Sequence, residues 1–179
     1  MLKVTAVAFA ALLGTAVLVV VVGYCLPKPH VAARAISLRQ KPADVFALIS
    51  NVKEGANWRS DVQAVEILPS ANGHIQFREK GANGTISFEV VELSPPQRLV
   101  TEIADKNLPF GGRWIYEVVP TADGARLNIT ERGEVYNPVF RVVSRFVLGY
   151  NRTLDAYLRN VSRKVGESAV PEEGKPAAH

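Results

Sequence analysis

Apolar and small residues run without a single charge from Val4 to Leu26, and beyond that point the chain changes to short alternating patterns. A helix over the run, at about 1.5 Å per residue, would reach about 34 Å, against roughly 30 Å of bilayer hydrocarbon. A cleaved export signal has an apolar region of only about 7–15 residues, so the run is too long for one. Residues 1–27 are therefore expected to be a transmembrane anchor. Pro27-Lys28-Pro29-His30 follows as a stiff spacer, because each proline fixes its own φ and restricts its predecessor. Residues 28–30 form the linker to whatever comes next.

Val31 to Arg39 reads as a strand ending at Lys41-Pro42. Pro42 suits a first helical turn, and Val45, Phe46, Leu48 and Ile49 give that helix an apolar stripe. A short helical or turn segment from Val52 to Ser60 carries Trp58. Strand-like runs follow at Val62–Leu68, Ile75–Arg78, Ile86–Val90, Leu99–Ile103, Arg113–Val119 and Arg126–Arg132. Turn signals separate them, among them Pro69-Ser70-Ala71-Asn72-Gly73, Gly81-Ala82-Asn83-Gly84 and Pro120-Thr121-Ala122-Asp123-Gly124. Hairpin-length connections with period-two alternation predict a curved antiparallel sheet with one solvated face. Asn137-Pro138 then opens a long helix whose stripe is Phe140, Val143, Val147, Tyr150, Leu154, Tyr157, Leu158, Val161 and Val165. Residues 31–165 make one domain of α+β class. The polar, proline-containing stretch 166–179 reads as a disordered tail.

Composition changes this picture little. The formal charge is +4, too small to suggest nucleic acid as a partner for a tethered domain. Lysine and arginine after the anchor (Lys28, Arg34, Arg39, Lys41) outnumber Lys3 before it, which leans the domain toward the cytosolic face. Cys25, the one cysteine, falls in the apolar run, so the domain has no disulfide. No metal-ligand spacing, nucleophile elbow, phosphate loop or dinucleotide fingerprint occurs, and no metal or cofactor is expected. His30, His74 and His179 are scattered and read as exposed.

The wording KPADVFALISNVKEGANWRSDVQAVEIL resembles the opening of the SRPBCC superfamily, which includes START, Bet v 1-like and polyketide cyclase/dehydrase proteins. GGRWIYEVVP, LNITERGEVYNPVFR and RFVLGYNRTLDAYLRNV are similar to its later strands and final helix. The resemblance implies a helix-grip fold, a sheet wrapped around the C-terminal helix with an apolar cavity between. It implies no particular activity, since this fold hosts carriers, sensors and cyclases alike.

Candidate binding residues are the large aromatics on the apolar faces: Trp58, Phe77, Phe88, Trp114, Tyr116, Phe146 and Tyr150. Core packing is the alternative for each of them singly. Two carboxylates continue apolar alternations, Glu79 after Ile75 and Phe77, and Glu131 after Leu127 and Ile129. If alternation holds they face the cavity as acid/base candidates; if the register breaks at the strand ends they are solvated. At 100° per residue, Arg141, Arg145, Arg152, Arg159 and Arg163 share an arc of about 40° opposite the apolar stripe, a basic row suited to anionic lipid. The sequence thus favours a membrane-anchored binding domain, not an enzyme, with the bilayer and an apolar or amphipathic small molecule as partners. A cyclase-like enzyme and a membrane-surface interaction module stand as alternatives.

Overall fold

Alternation along the middle of the chain becomes antiparallel strands closed over two helices. The structure, a computed structural model, describes residues 2–70, 73–81 and 84–178; the expected turn residues Ala71, Asn72, Ala82 and Asn83, and His179, lie outside the described residues. In chain order the elements are α1 (Leu2–Cys25), β1 (Pro29–Leu38), α2 (Pro42–Ser50), a 3-10 turn (Val52–Asn57), β2 (Val62–Leu68), β3 (Gln76–Gly81), β4 (Gly84–Ser94), β5 (Arg98–Ile103), β6 (Phe110–Thr121) and β7 (Gly124–Val135). Then come α3 (Pro138–Val143), a π-helical turn (Ser144–Leu148), α4 (Asn151–Lys164) and the short β8 (Glu172–Glu173). The sheet order is β2-β3-β4-β5-β6-β7-β1-β8. Its concave face carries Ile36, Leu99, Tyr116, Val118, Leu127 and Ile129, packed against Val45 and Phe46 of α2 and Leu154, Tyr157, Leu158 and Val161 of α4.

Four expectations change. The helix expected at the N-terminus is present, but among the described residues no helix is long and apolar enough to cross a membrane. The side chains of α1 are described at Thr5 and continuously only from Phe9. The linker lies at residues 26–28 instead of 28–30, because Pro29 and His30 already pair with Glu134 and Gly133 of β7; a proline is tolerated as the first residue of a strand.

The expected long C-terminal helix is two pieces. Gly149 adopts φ 71°, a left-handed conformation that favours glycine, and it closes the π turn by donating to the Ser144 carbonyl. The break shifts the phase, so the five arginines no longer share one face. Arg141 is buried, while Arg145, Arg152, Arg159 and Arg163 are exposed.

The fourth change is the tail. Far from being disordered, residues 167–178 strap the convex side of the sheet. β8 pairs with β1 at Arg34 and Ala35. Asn128 donates to the Lys175 carbonyl (2.9 Å) and accepts from the Lys175 amide (3.1 Å). The Ala177 amide donates to the Thr130 hydroxyl (2.9 Å), and Arg132 donates to the Ala177 carbonyl (2.6 Å). Ala177 itself is buried with Val100 and Ile115. Outward polar residues of β7 thus hold the strap's backbone, and composition alone could not show it. Ending the chain at Val170 is expected to lower unfolding stability by about 2–3 kcal/mol, since several buried polar groups lose partners. An unchanged urea midpoint for the shortened protein, with α1 retained, would contradict this.

Candidate functional site

The concave face is built by strand alternation. Register places Trp114 beside Thr101 and Glu131, Tyr116 beside Leu99 and Ile129, Phe77 beside Phe88, and Glu79 beside Ile86. Directly opposed residues share a face, so Glu79 and Glu131 both follow the alternation inward rather than turning to solvent. α4 crosses this face and delivers Tyr157 to its centre. Tyr157 meets Trp58, Trp114 and Tyr116 with ring centroids 5.4, 5.7 and 5.5 Å away. Phe77 and Phe88 stack at 5.3 Å.

One end of this aromatic set is ionic. Arg59 donates to Glu79 (2.5 Å) and to Asp61 (2.7 Å), and its guanidinium lies 5.2 Å from the Tyr157 ring. The Arg59 and Glu79 side chains are only 15% and 14% exposed, so this is an ion pair largely withdrawn from water. Burial pushes the Glu79 carboxyl above its ordinary value, with Arg59 opposing. Burial alone would lower Arg59, but Glu79 and Asp61 outweigh it and the guanidinium is held above its ordinary value. Arginine keeps its proton, so only Glu79 can change the pair's charge. The Tyr116 hydroxyl hydrogen-bonds with Thr101 and Tyr157, and burial raises both phenols well beyond the ordinary range.

The sign of a pH effect follows. A carboxyl raised on folding contributes stability that is complete below its ordinary 4.5 and is lost as pH rises through the folded value. Glu79→Gln removes that titration. The stability of the natural protein relative to Glu79→Gln is therefore expected to fall as pH rises from about 4 to about 7. Urea unfolding at several pH values reads it, and a difference constant with pH would contradict the assignment.

Trp58 and Arg59 also divide two spaces. Outside lies an open groove of about 420 Å³ between the loop and the end of α4, lined by Asn57, Ser60, Asn160, Arg163 and Lys164 as well. Inside, beneath Tyr116 and Tyr157, is a hollow of about 20 Å³. Typical small-molecule pockets hold about 300–1,000 Å³, whereas about 10–15 Å³ admits one water, so the expected apolar cavity is nearly closed. The Trp58 indole N–H is buried at this divide without a hydrogen-bond partner among the described residues. Asn160, itself buried, fixes the wall by accepting from Ser60 (3.2 Å) and donating to Asp61 (3.3 Å).

At the other end a second polar group closes the face. His30, expected to be exposed, has a side chain only 10% exposed, lies 3.4 Å from Glu131 and stacks on Tyr150 at 3.8 Å. His30 Nδ1 and Glu131 Oε2 are buried without partners among the described residues. Gly133 makes the room, since a β-carbon there would strike the His30 ring.

Of the expected lining, the structure gathers Trp58, Phe77, Phe88, Trp114 and Tyr116, and sets Tyr150 at the margin with His30. Phe146 is excluded: it sits on the π turn, 65% exposed. Arg141 is likewise excluded from any lipid-facing row by burial, and Arg163 belongs to the groove. Sequence reasoning missed Arg59, Thr101, Asn160 and His30 as site residues. Tyr157's place in the apolar stripe of α4 was the one available signal.

A curved antiparallel sheet gripping a C-terminal helix over an aromatic concave face defines a helix-grip domain. Residues 30–166 match the family described as polyketide cyclase / dehydrase and lipid transport. The chain belongs to that family, within the SRPBCC superfamily. Similar solved structures include a START superfamily protein from Mycobacterium smegmatis (TM-score 0.62, 15% identity, covering 76% of this chain and 97% of that one). A conserved protein from Geobacillus kaustophilus gives a TM-score of 0.64 at 13% identity, covering 80% and 100%. Truncated norcoclaurine synthase from Thalictrum flavum gives 0.63 at 12%, covering 78% and 96%. At such identities the likeness speaks to the fold alone. No curated protein matches the sequence.

Proposed function

We propose that this chain is a membrane-anchored binding domain for an apolar or amphipathic small molecule of lipid or isoprenoid character. The observation that carries the reading is the continuous aromatic face from Trp58 through Tyr157 to Trp114, reached from the open groove past a single wall. An apolar portion would lie against these rings and a polar end beside Arg59 or the unpartnered Trp58 N–H. Because the hollow is small, entry requires the Trp58–Arg59 wall or the ring set to move apart. Family membership in a group described as including lipid transport supports the same reading.

The anchor is α1. It carries no charge from Val4 onward, and Phe9, Leu12, Leu13, Val17 and Leu18 are all more than half exposed. An apolar surface of that size is unfavourable in water and favourable in a bilayer. The basic residues just after α1 favour a domain on the cytosolic side.

Native mass spectrometry of the full protein from mild detergent, with extraction of bound molecules, tests the reading. A retained apolar molecule is expected. Trp114→Ala should weaken retention about tenfold, from about 60 Å² of lost contact at about 25 cal/mol per Å². Equal retention by the variant would remove Trp114 from the lining.

A second reading, a cyclase-like enzyme, is favoured by one observation: the His30–Glu131 pair brings an acid and a base together at the edge of the same face with two polar atoms unpartnered. A protein that stays free of ligand after incubation with membrane lipid would shift weight to it.

A further inference from the structure

α1 is docked on the domain, not trailing from it. Gly23 meets α3 so closely that a β-carbon there would strike the Pro138 carbonyl. Val19, Val22, Gly23 and Leu26 recur at helical spacing and are the covered positions on this end of α1, which packs on α3. Arg141 fastens the joint. From α3 it donates to the carbonyls of Gly23 (2.7 Å) and Leu26 (2.8 Å) at the C-terminal end of α1, and to those of Val135 (3.0 Å) and Tyr136 (3.1 Å). The covered face runs about 10 Å along α1 at about 1.5 Å per residue. A medium that surrounds that end of α1 also meets α3, which the π turn continues.

The π turn has the surface such a medium would require. Phe146, Val147 and Leu148 are consecutive and 65%, 74% and 43% exposed, with Val139 of α3 at 42%. Tyr24 and Tyr136, aromatics of the kind enriched at membrane–water boundaries, are 73% and 45% exposed. The two cations of this segment do not spoil the surface: Arg141 is consumed by backbone carbonyls, and Arg145 is exposed and long enough to reach headgroups. Arg152 follows at the start of α4, also exposed.

We propose that α3 and the π turn form a collar seated in the headgroup–acyl boundary of the bilayer that holds α1, with Phe146, Val147 and Leu148 in contact with lipid. The proposal rests on the reading of α1 as a membrane anchor. The occupant is lipid and not a second copy of the chain, because the exposed apolar residues follow directly on α3, which packs on α1, and are flanked by the exposed Arg145 and Arg152. The depth expected for such an element is about 5–10 Å below the headgroups. Through Gly149 the collar leads straight to Tyr150 and His30, so it stands at the end of the aromatic face nearest the membrane.

The test uses the full chain with Cys25→Ser, spin-labelled singly at Val147→Cys, Leu12→Cys or Glu66→Cys, in vesicles of phosphatidylcholine and phosphatidylglycerol. Collision rates with oxygen, which concentrates in lipid, and with a water-soluble nickel chelate are read at each site. The expected result is high oxygen and low nickel at Val147, as at Leu12, with the reverse at Glu66 on the far edge of the sheet. Nickel access at Val147 equal to Glu66, while Leu12 stays shielded, overturns the collar and leaves the anchor intact. Nickel access at both Val147 and Leu12 overturns both readings. Low oxygen together with low nickel at Val147 means that protein covers the turn, and it too overturns the proposal.

Discussion

Arg59→Ala is expected to lower the unfolding stability of the domain by about 3–5 kcal/mol, the range for removing one member of a buried ion pair. The cost comes from what is left behind. Glu79 would stay in a site where its side chain is 14% exposed, with its cation gone and Tyr116 and Tyr157 as neighbours. Asp61 loses the same partner but is 45% exposed, so water can replace it. The double variant Arg59→Ala with Glu79→Gln should recover a large part of the loss, because the buried charge then disappears with its partner. Urea unfolding of the four proteins completes the cycle. Additive losses in the double variant would show that the pair is not coupled, and the ionic end of the site would lose its basis.

Arg141→Ala carries the second large effect, about 3–5 kcal/mol, because hydrogen bonds to a charged donor are worth about 1.5–3 kcal/mol each and four acceptors lose theirs, less what water restores. Two acceptors are the terminal carbonyls of α1, which a cation at a helix C-terminus suits best. The variant should therefore show two changes together. Its midpoint of unfolding falls, and the Leu26–Lys28 junction becomes open to protease. Arg141→Lys, with one ammonium in place of a fork, should lie between. A variant with natural protease resistance would mean that the joint between α1 and α3 holds without the arginine.

How far the sequence carried these conclusions depends on the range of the interaction involved. Strands were legible because alternation is local: Trp114 with Tyr116, and Leu127 with Ile129, lie two residues apart and face one way. The same rule, trusted to the strand ends, would have brought Glu79 and Glu131 inward. The broken helix was less legible, since the apolar stripe continues through Val147 and Tyr150 and only Gly149 signals that the phase is lost. That one glycine dissolved the arginine row. His30 and the tail were illegible for a different reason. The partner of His30 lies 101 residues away in sequence, and the strap is held by side chains whose outward position on β7 reads as ordinary solvent exposure. Long-range pairings of polar groups leave no periodic trace.

The joint at Arg141 has a consequence for how copies of this protein meet. With only Leu26 to Lys28 between α1 and β1 and the helix end clamped to α3, the domain cannot swivel about α1. Held in one bilayer, every copy would present the same side to its neighbours at the same height. Part of the translational and rotational cost of association, about 4–15 kcal/mol between free proteins, would already be met by the shared plane. Contacts too weak to pair anchor-free domains in solution would then suffice to order them laterally.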